Sequence, residues 1–112
     1  MCDCLFCKIL AGEIPSQKVY EDERVFAFRD INPQAPVHVL IVPKTHVENV
    51  LEAANRAPEA LEAVMRAVPA VAEAAGVEQF RLITNCGEEA AQTVPHLHFH
   101  LLGGARLSDH MA

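Results

Sequence analysis

A single α+β domain with a five-stranded, largely antiparallel sheet is predicted by three features of this 112-residue sequence. Strand-length apolar runs come first, one long amphipathic helix follows, and two further strand segments close the chain over short links. The length suits one domain over residues 1–112, able to bury roughly two-thirds of its extended surface without disulfide support.

Each element has its own signal. Leu5, Phe6, Ile9 and Leu10 recur at helical spacing, and Gly12 and Pro15 stop the pattern, which predicts a short N-terminal helix of about two turns. KVYE (18–21) and VFAFRD (25–30) read as strands joined by a polar hairpin connection. INPQAP carries two prolines that forbid regular structure, and it leads into VHVLIVP (37–43), an apolar run between Pro36 and Pro43 that reads as a central strand. His38 lies inside that run, where a polar ring is costly unless hydrogen-bonded, so it is either a satisfied core histidine or part of a site. Over residues 58–75, Leu61, Val64, Met65, Val68 and Val71 follow helical spacing, with Pro58 suited to the first turn and Gly76 to the end. Pro69 inside this helix predicts a kink or a break, and the stripe itself reads as core. QFRLITNC (79–86) and HLHFHLL (96–102) supply the fourth and fifth strands, separated by the polar loop GEEAAQTVP.

Composition excludes some functions. A formal charge of −6 leaves no broad cationic surface, so no nucleic-acid polymer is expected as partner, whereas a small phosphorylated ligand stays open. No apolar run approaches the roughly 20 residues of a membrane span, and MCDCLFCKIL lacks the basic start and apolar core of a secretory signal. No membrane association and a cytoplasmic location are expected. In that reducing compartment the four cysteines are not expected to form structural disulfides. Cys4 and Cys7 make a C-x2-C, which serves as half of a zinc site or as a redox pair, while Cys86 reads as a small buried hydrophobe.

The segment HLHFH places His96, His98 and His100 at every second position, on one face of a strand, with Leu97 and Phe99 on the other. Two readings suit such an array. Neighbouring imidazoles can share a metal ion, although the outer pair is about 13 Å apart along a strand, at the edge of what two inward-reaching imidazoles span, which argues against all three on one ion. Alternatively one neutral imidazole attacks phosphorus while its neighbours donate hydrogen bonds to phosphate oxygens. The preceding AAQTVP adds the Gln92 amide, the Thr93 hydroxyl and backbone N–H groups as donors for an anion.

HLHFHLL resembles the His-x-His-x-His-x-x signature of the histidine triad (HIT) family of nucleotide hydrolases and transferases. LFCKILAGEIP, FAFRDINPQAPVHVLIVPKTH, ITNCGEEAAQTV and HLLGG each resemble a family block in the same order, so the resemblance covers nearly the whole chain. The ending LLGGARLSDHMA resembles the Hint branch of homodimeric purine nucleoside phosphoramidases. The resemblance implies a HIT-like fold and makes His98 the nucleophile, with the His96 carbonyl holding its other ring nitrogen. It gives His100, Gln92 and Thr93 to the phosphate and His38 to the triad as a supporting imidazole. Asp30 is implied for the ribose hydroxyls, Asn85 for a nearby polar contact, and Leu5, Phe6, Ile9, Phe28 and Ile31 for the purine slot.

Relatives of bacterial type carry the same C-x2-C, and the resemblance implies a structural zinc on Cys4, Cys7, His46 and His96. Four protein ligands leave no open position for water, so no catalytic metal is expected. The chain departs from the family at Ala91, where Gly is common and the backbone can need a positive φ, at Thr93, where Ser is common, and at Pro95. The expected function is purine nucleoside phosphoramidase activity through a nucleotidyl-His98 intermediate, in a homodimer. A nucleotide-binding interaction module with incidental hydrolysis, or a dinucleoside polyphosphate hydrolase, would use the same residues.

Overall fold

The computed structural model describes residues 4–110. Five strands form one sheet in the order β1-β2-β3-β5-β4: β1 Lys18–Glu21, β2 Val25–Arg29, β3 Val37–Pro43, β4 Phe80–Ile83 and β5 Phe99–Gly103. Every ladder is antiparallel. β3 lies at the centre because its unbroken apolar run can be buried on both faces, and all but one of its seven residues are buried.

Alternation sorts the side chains. Val39 and Ile41 of β3, Val25 and Ala27 of β2, and Phe99 and Leu101 of β5 share one core with the main helix α3, Pro58–Ala75. α3 presents Ala60, Ala63 and Ala67 beside Val64, Val68 and Val71, and the small residues let the helix sit close to the sheet. Met65, expected in that stripe, is 43% exposed, because the alanines occupy the packed positions. Gly76 ends α3 in the left-handed conformation that a glycine adopts without a Cβ penalty. Pro69 does not divide the helix, which runs unbroken through it.

The second face holds a smaller core of Phe28, Leu40 and Val42, covered by Phe6 of α1, Leu5–Leu10. His38 shares this face with Leu40 and Val42, and the register Leu40↔His100 brings His100 beside them. Cys4 caps α1, its Sγ accepting the N–H of Cys7.

Two features differ from expectation. A helix α2, Val50–Arg56, precedes α3, its N-terminus capped by the Asn49 side chain accepting from Glu52 N–H. Only Ala53 of α2 is buried, so no apolar stripe announces it. The last two strands are also shorter than predicted: the β4–β5 ladder ends at Ile83↔His100, leaving His96, in a bend, and His98 before the start of β5.

Candidate active site and metal centre

His98 is 7% exposed, and its environment fixes which nitrogen carries the proton. Nδ1 lies 2.7 Å from the carbonyl oxygen of His96. A carbonyl only accepts, so Nδ1 carries the hydrogen and Nε2 is left with its lone pair, the form a nucleophile needs. The ring of Phe6 stands edge-on to His98 at 4.9 Å between centroids. Burial pushes the His98 proton affinity below that of free imidazole, keeping the ring neutral at pH 7, although the His96 carbonyl and Asp30 oppose the shift.

A second chain of hydrogen bonds orders His38 and His100. The backbone N–H of Gln34 donates to His38 Nδ1 at 3.0 Å, so the His38 proton sits on Nε2. His38 Nε2 is 2.9 Å from His100 Nδ1 and 3.4 Å from an Asp30 carboxylate oxygen. It therefore donates mainly to His100, whose own proton is left on Nε2 as a free donor for an anion. Burial, and then the neighbouring His98 and His38, bring the pKa of His100 down to about 4. Asp30 is shaped by its turn, its other oxygen accepting the Asn32 N–H at 2.8 Å.

Asp30, His38 and His100 offer ligand atoms within 4.8 Å of one another, as a metal site would. The proton order argues against one. An ion on His38 Nε2 would require the proton to move to Nδ1, where it would face the donating N–H of Gln34.

Cys4, Cys7, His46 and His96 are different. A tetrahedral zinc with bonds of about 2.05 Å to nitrogen and 2.3 Å to sulfur sets N···N near 3.3 Å and S···N near 3.6 Å. His46 Nδ1 and His96 Nδ1 are 3.1 Å apart. Cys4 Sγ is 3.9 and 3.4 Å from these two nitrogens, and Cys7 Sγ 3.5 and 3.6 Å. His96 Nε2 donates to the Pro43 carbonyl at 2.9 Å, which leaves the Nδ1 lone pair aimed into the cluster. The four residues fit a structural zinc. Cys7 is disulfide-bonded in this structure, so its thiolate becomes available as a ligand on reduction.

His96 thus joins both clusters, its ring facing the cysteines and its carbonyl holding the His98 ring. It is fully buried, and burial pushes its proton affinity down while the Pro43 carbonyl opposes this.

The loop before His96 is arranged differently from expectation at Gln92. Its amide oxygen accepts the Gly87 N–H at 2.8 Å, and its nitrogen donates to the carbonyls of Glu48 at 2.7 Å and Val94 at 3.0 Å. Both amide hydrogens are spent within the protein, so the side chain clasps the loop. Thr93 is exposed and Asn85 half-buried. Ala91 has φ 68°, the positive value anticipated at this position. Of the apolar set, Phe6 and Phe28 pack edge-to-face at 5.5 Å, Ile9 packs against the same small core, and Leu5 and Ile31 are exposed.

Two contributors escaped the sequence reading. The Gln34 contact comes from its main chain and carries no side-chain signal. The Thr84 hydroxyl donates to the His98 carbonyl at 2.8 Å, and its sequence context is that of an ordinary strand residue.

Comparison with known proteins follows the same lines. The HIT domain matches residues 11–107. The chain is 48% identical over 106 residues to a 13.2 kDa HIT-like protein of Azospirillum brasilense, covering 92% of this chain and 87% of that one. It is 45% identical over 107 residues to the 14 kDa zinc-binding protein of Zea mays, covering 93% and 84%. A solved HIT family hydrolase from Clostridium thermocellum superposes with a TM-score of 0.93 at 50% identity, covering 100% of this chain and 99% of the other.

Proposed function

Because the chain belongs to the HIT family, we propose that it is a nucleotide hydrolase that cleaves the P–N bond of purine nucleoside 5′-phosphoramidates through His98. The observation that carries this reading is the proton order around His98: the His96 carbonyl holds Nδ1–H, and Nε2 keeps a lone pair on a buried, neutral ring. Solved relatives known as HIT family hydrolases, from Clostridium thermocellum and Legionella pneumophila, support hydrolysis as the class of reaction.

In the first step His98 Nε2 attacks the α-phosphorus. The new N–P bond forms as the P–N bond to the amine breaks, and the amine leaves with a proton already on its nitrogen or passed from a neighbouring imidazole. The phosphorylated ring is cationic, and the His96 carbonyl on Nδ1–H stabilises that charge. His100 donates Nε2–H to a non-bridging oxygen, and Thr93 adds its hydroxyl. Water then displaces the ring, releasing the nucleoside monophosphate and restoring neutral His98. Asp30 takes the ribose hydroxyls, Asn85 lies beside them, and Leu5, Ile9 and Ile31 offer apolar surface to the purine next to Phe6 and Phe28.

Zinc on Cys4, Cys7, His46 and His96 would supply cross-linking alone, joining α1 to the backbone that carries His98. Reduced Cys7 suits the cytoplasm, where this reading places the protein, and no helix among the described residues is long and apolar enough to cross a membrane. We also assign a homodimer, in which the β4 edge strand, with Phe80 37% exposed, is covered by a second copy.

The test is His98→Ala with an adenosine phosphoramidate. Turnover should fall about a thousandfold or more while nucleotide affinity stays near that of the wild type. A denaturing quench at alkaline pH of the wild-type enzyme in a single turnover should trap an acid-labile nucleotide adduct on His98. Wild-type turnover by the variant would refute the proposal, and binding with neither adduct nor turnover would make the protein a nucleotide-binding module.

A further inference from the structure

We propose that Thr84 is a positioning residue for the nucleophile, its hydroxyl anchoring the main chain of His98. The proposal rests on His98 being the attacking group.

The reason lies in where the sheet stops. β4 and β5 pair only as far as Ile83↔His100, so no ladder bond holds the peptide after His98 from the β4 side. The residue that follows β4 is Thr84, and its Oγ1 donates to the His98 carbonyl at 2.8 Å, continuing the pairing with a side chain. On the other side of the same residue, the His96 carbonyl holds the ring at 2.7 Å. His98 is thereby fixed twice: the ring rotation by His96, and the backbone that sets the Cα–Cβ direction by Thr84. Together these direct Nε2. A shift of about 1 Å in a reacting atom is enough to cost up to a hundredfold in rate, so one backbone bond at this place bears on turnover. Neighbouring segments are restrained by bonds of their own, the Leu97 N–H to the Val47 carbonyl at 2.7 Å and the His96 N–H to the Val94 carbonyl at 2.8 Å. Loss of the Thr84 hydroxyl therefore acts at His98 and not on the whole loop.

Thr84→Val keeps the shape and removes the donor, while Thr84→Ser keeps the donor. The valine variant should lose about tenfold in kcat with KM within about twofold of wild type, and the serine variant should recover most of the rate. In nuclear magnetic resonance spectra without substrate, the Nδ1 proton of His98 should exchange with water about tenfold faster in Thr84→Val than in wild type or Thr84→Ser. An unchanged exchange rate in the valine variant, or a serine variant as impaired as the valine one, would overturn the proposal. Because the spectra need no turnover, they decide the role of Thr84 even if phosphoramidates prove not to be substrates.

Discussion

Phe6→Ala asks what keeps water off His98. Phe6 is 4% exposed, packs edge-to-face on Phe28 at 5.5 Å and on His98 at 4.9 Å, and sits between Cys4 and Cys7 on α1. Truncating a buried Phe costs about 3–5 kcal/mol where the cavity cannot close. Here the cost has a ceiling. α1 is six residues long and rests on the sheet through Phe6, helped by Cys4, Ile9 and Leu10, so it can detach instead of enclosing a void. A loss of about 2–3 kcal/mol in urea denaturation of the metal-free protein is expected, with the α1 amides exchanging at nearly unfolded rates. The chemical consequence is sharper. Burial is the main cause that lowers the His98 pKa, and Phe6 is the aromatic cover, so the variant's His98 should titrate nearer 6.5 by nuclear magnetic resonance. Phe6→Leu, which keeps most of the apolar volume, should leave that titration close to wild type. If α1 detaches in Phe6→Ala while His98 titrates as before, the shielding comes from the sheet and the reasoning about Phe6 is wrong.

Other expectations follow from the same geometry. His38, His96, His98 and His100 all have folded pKa values below that of free imidazole, so the unfolded chain takes up protons first as pH falls. Stability should be full above about pH 6.5 and decline toward pH 4, the folded value of His100, which alone contributes at most about 2 kcal/mol of loss at pH 5; equal urea midpoints at pH 7.5 and 5 would contradict this. Ala91→Gly should raise stability by about 0.5 kcal/mol, since relief of the left-handed alanine outweighs the added freedom of the unfolded chain, and a lower thermal midpoint would show φ 68° to be unstrained. Purified under reducing conditions, the protein should carry one zinc per chain by mass spectrometry and Cys4→Ser should carry none, whereas full occupancy in the variant would remove Cys4 from the ligand set.

Much of this could be read from local pattern. β1, β3 and α3 fall at the predicted residues because alternation, prolines and the Pro58 and Gly76 boundaries act within a few positions of the chain. The spacing of HLHFH marked the segment as a candidate site and left metal binding and phosphoryl transfer both open. α2 was missed because its single buried residue leaves no period to detect, and the last strands were overextended because apolar residues continue past the ladder, at Leu97, for reasons of packing.

The residue types themselves, imidazoles at alternate positions and thiols three apart, were determined by the sequence without help. Their roles were decided by the fold, because an imidazole has two nitrogens and only its neighbours choose between them. His96 and His98 differ by two positions, yet the carbonyls of Pro43 and His96 set their protons on opposite nitrogens, leaving the Nδ1 lone pair of one for the proposed zinc and the Nε2 lone pair of the other for the proposed attack. The Pro43 carbonyl and the Thr84 hydroxyl reach these histidines only when separate stretches of chain meet, and the His96 carbonyl and Gln34 N–H, though near in sequence, only when the chain turns to aim them; no residue-by-residue pattern records where a backbone dipole will point.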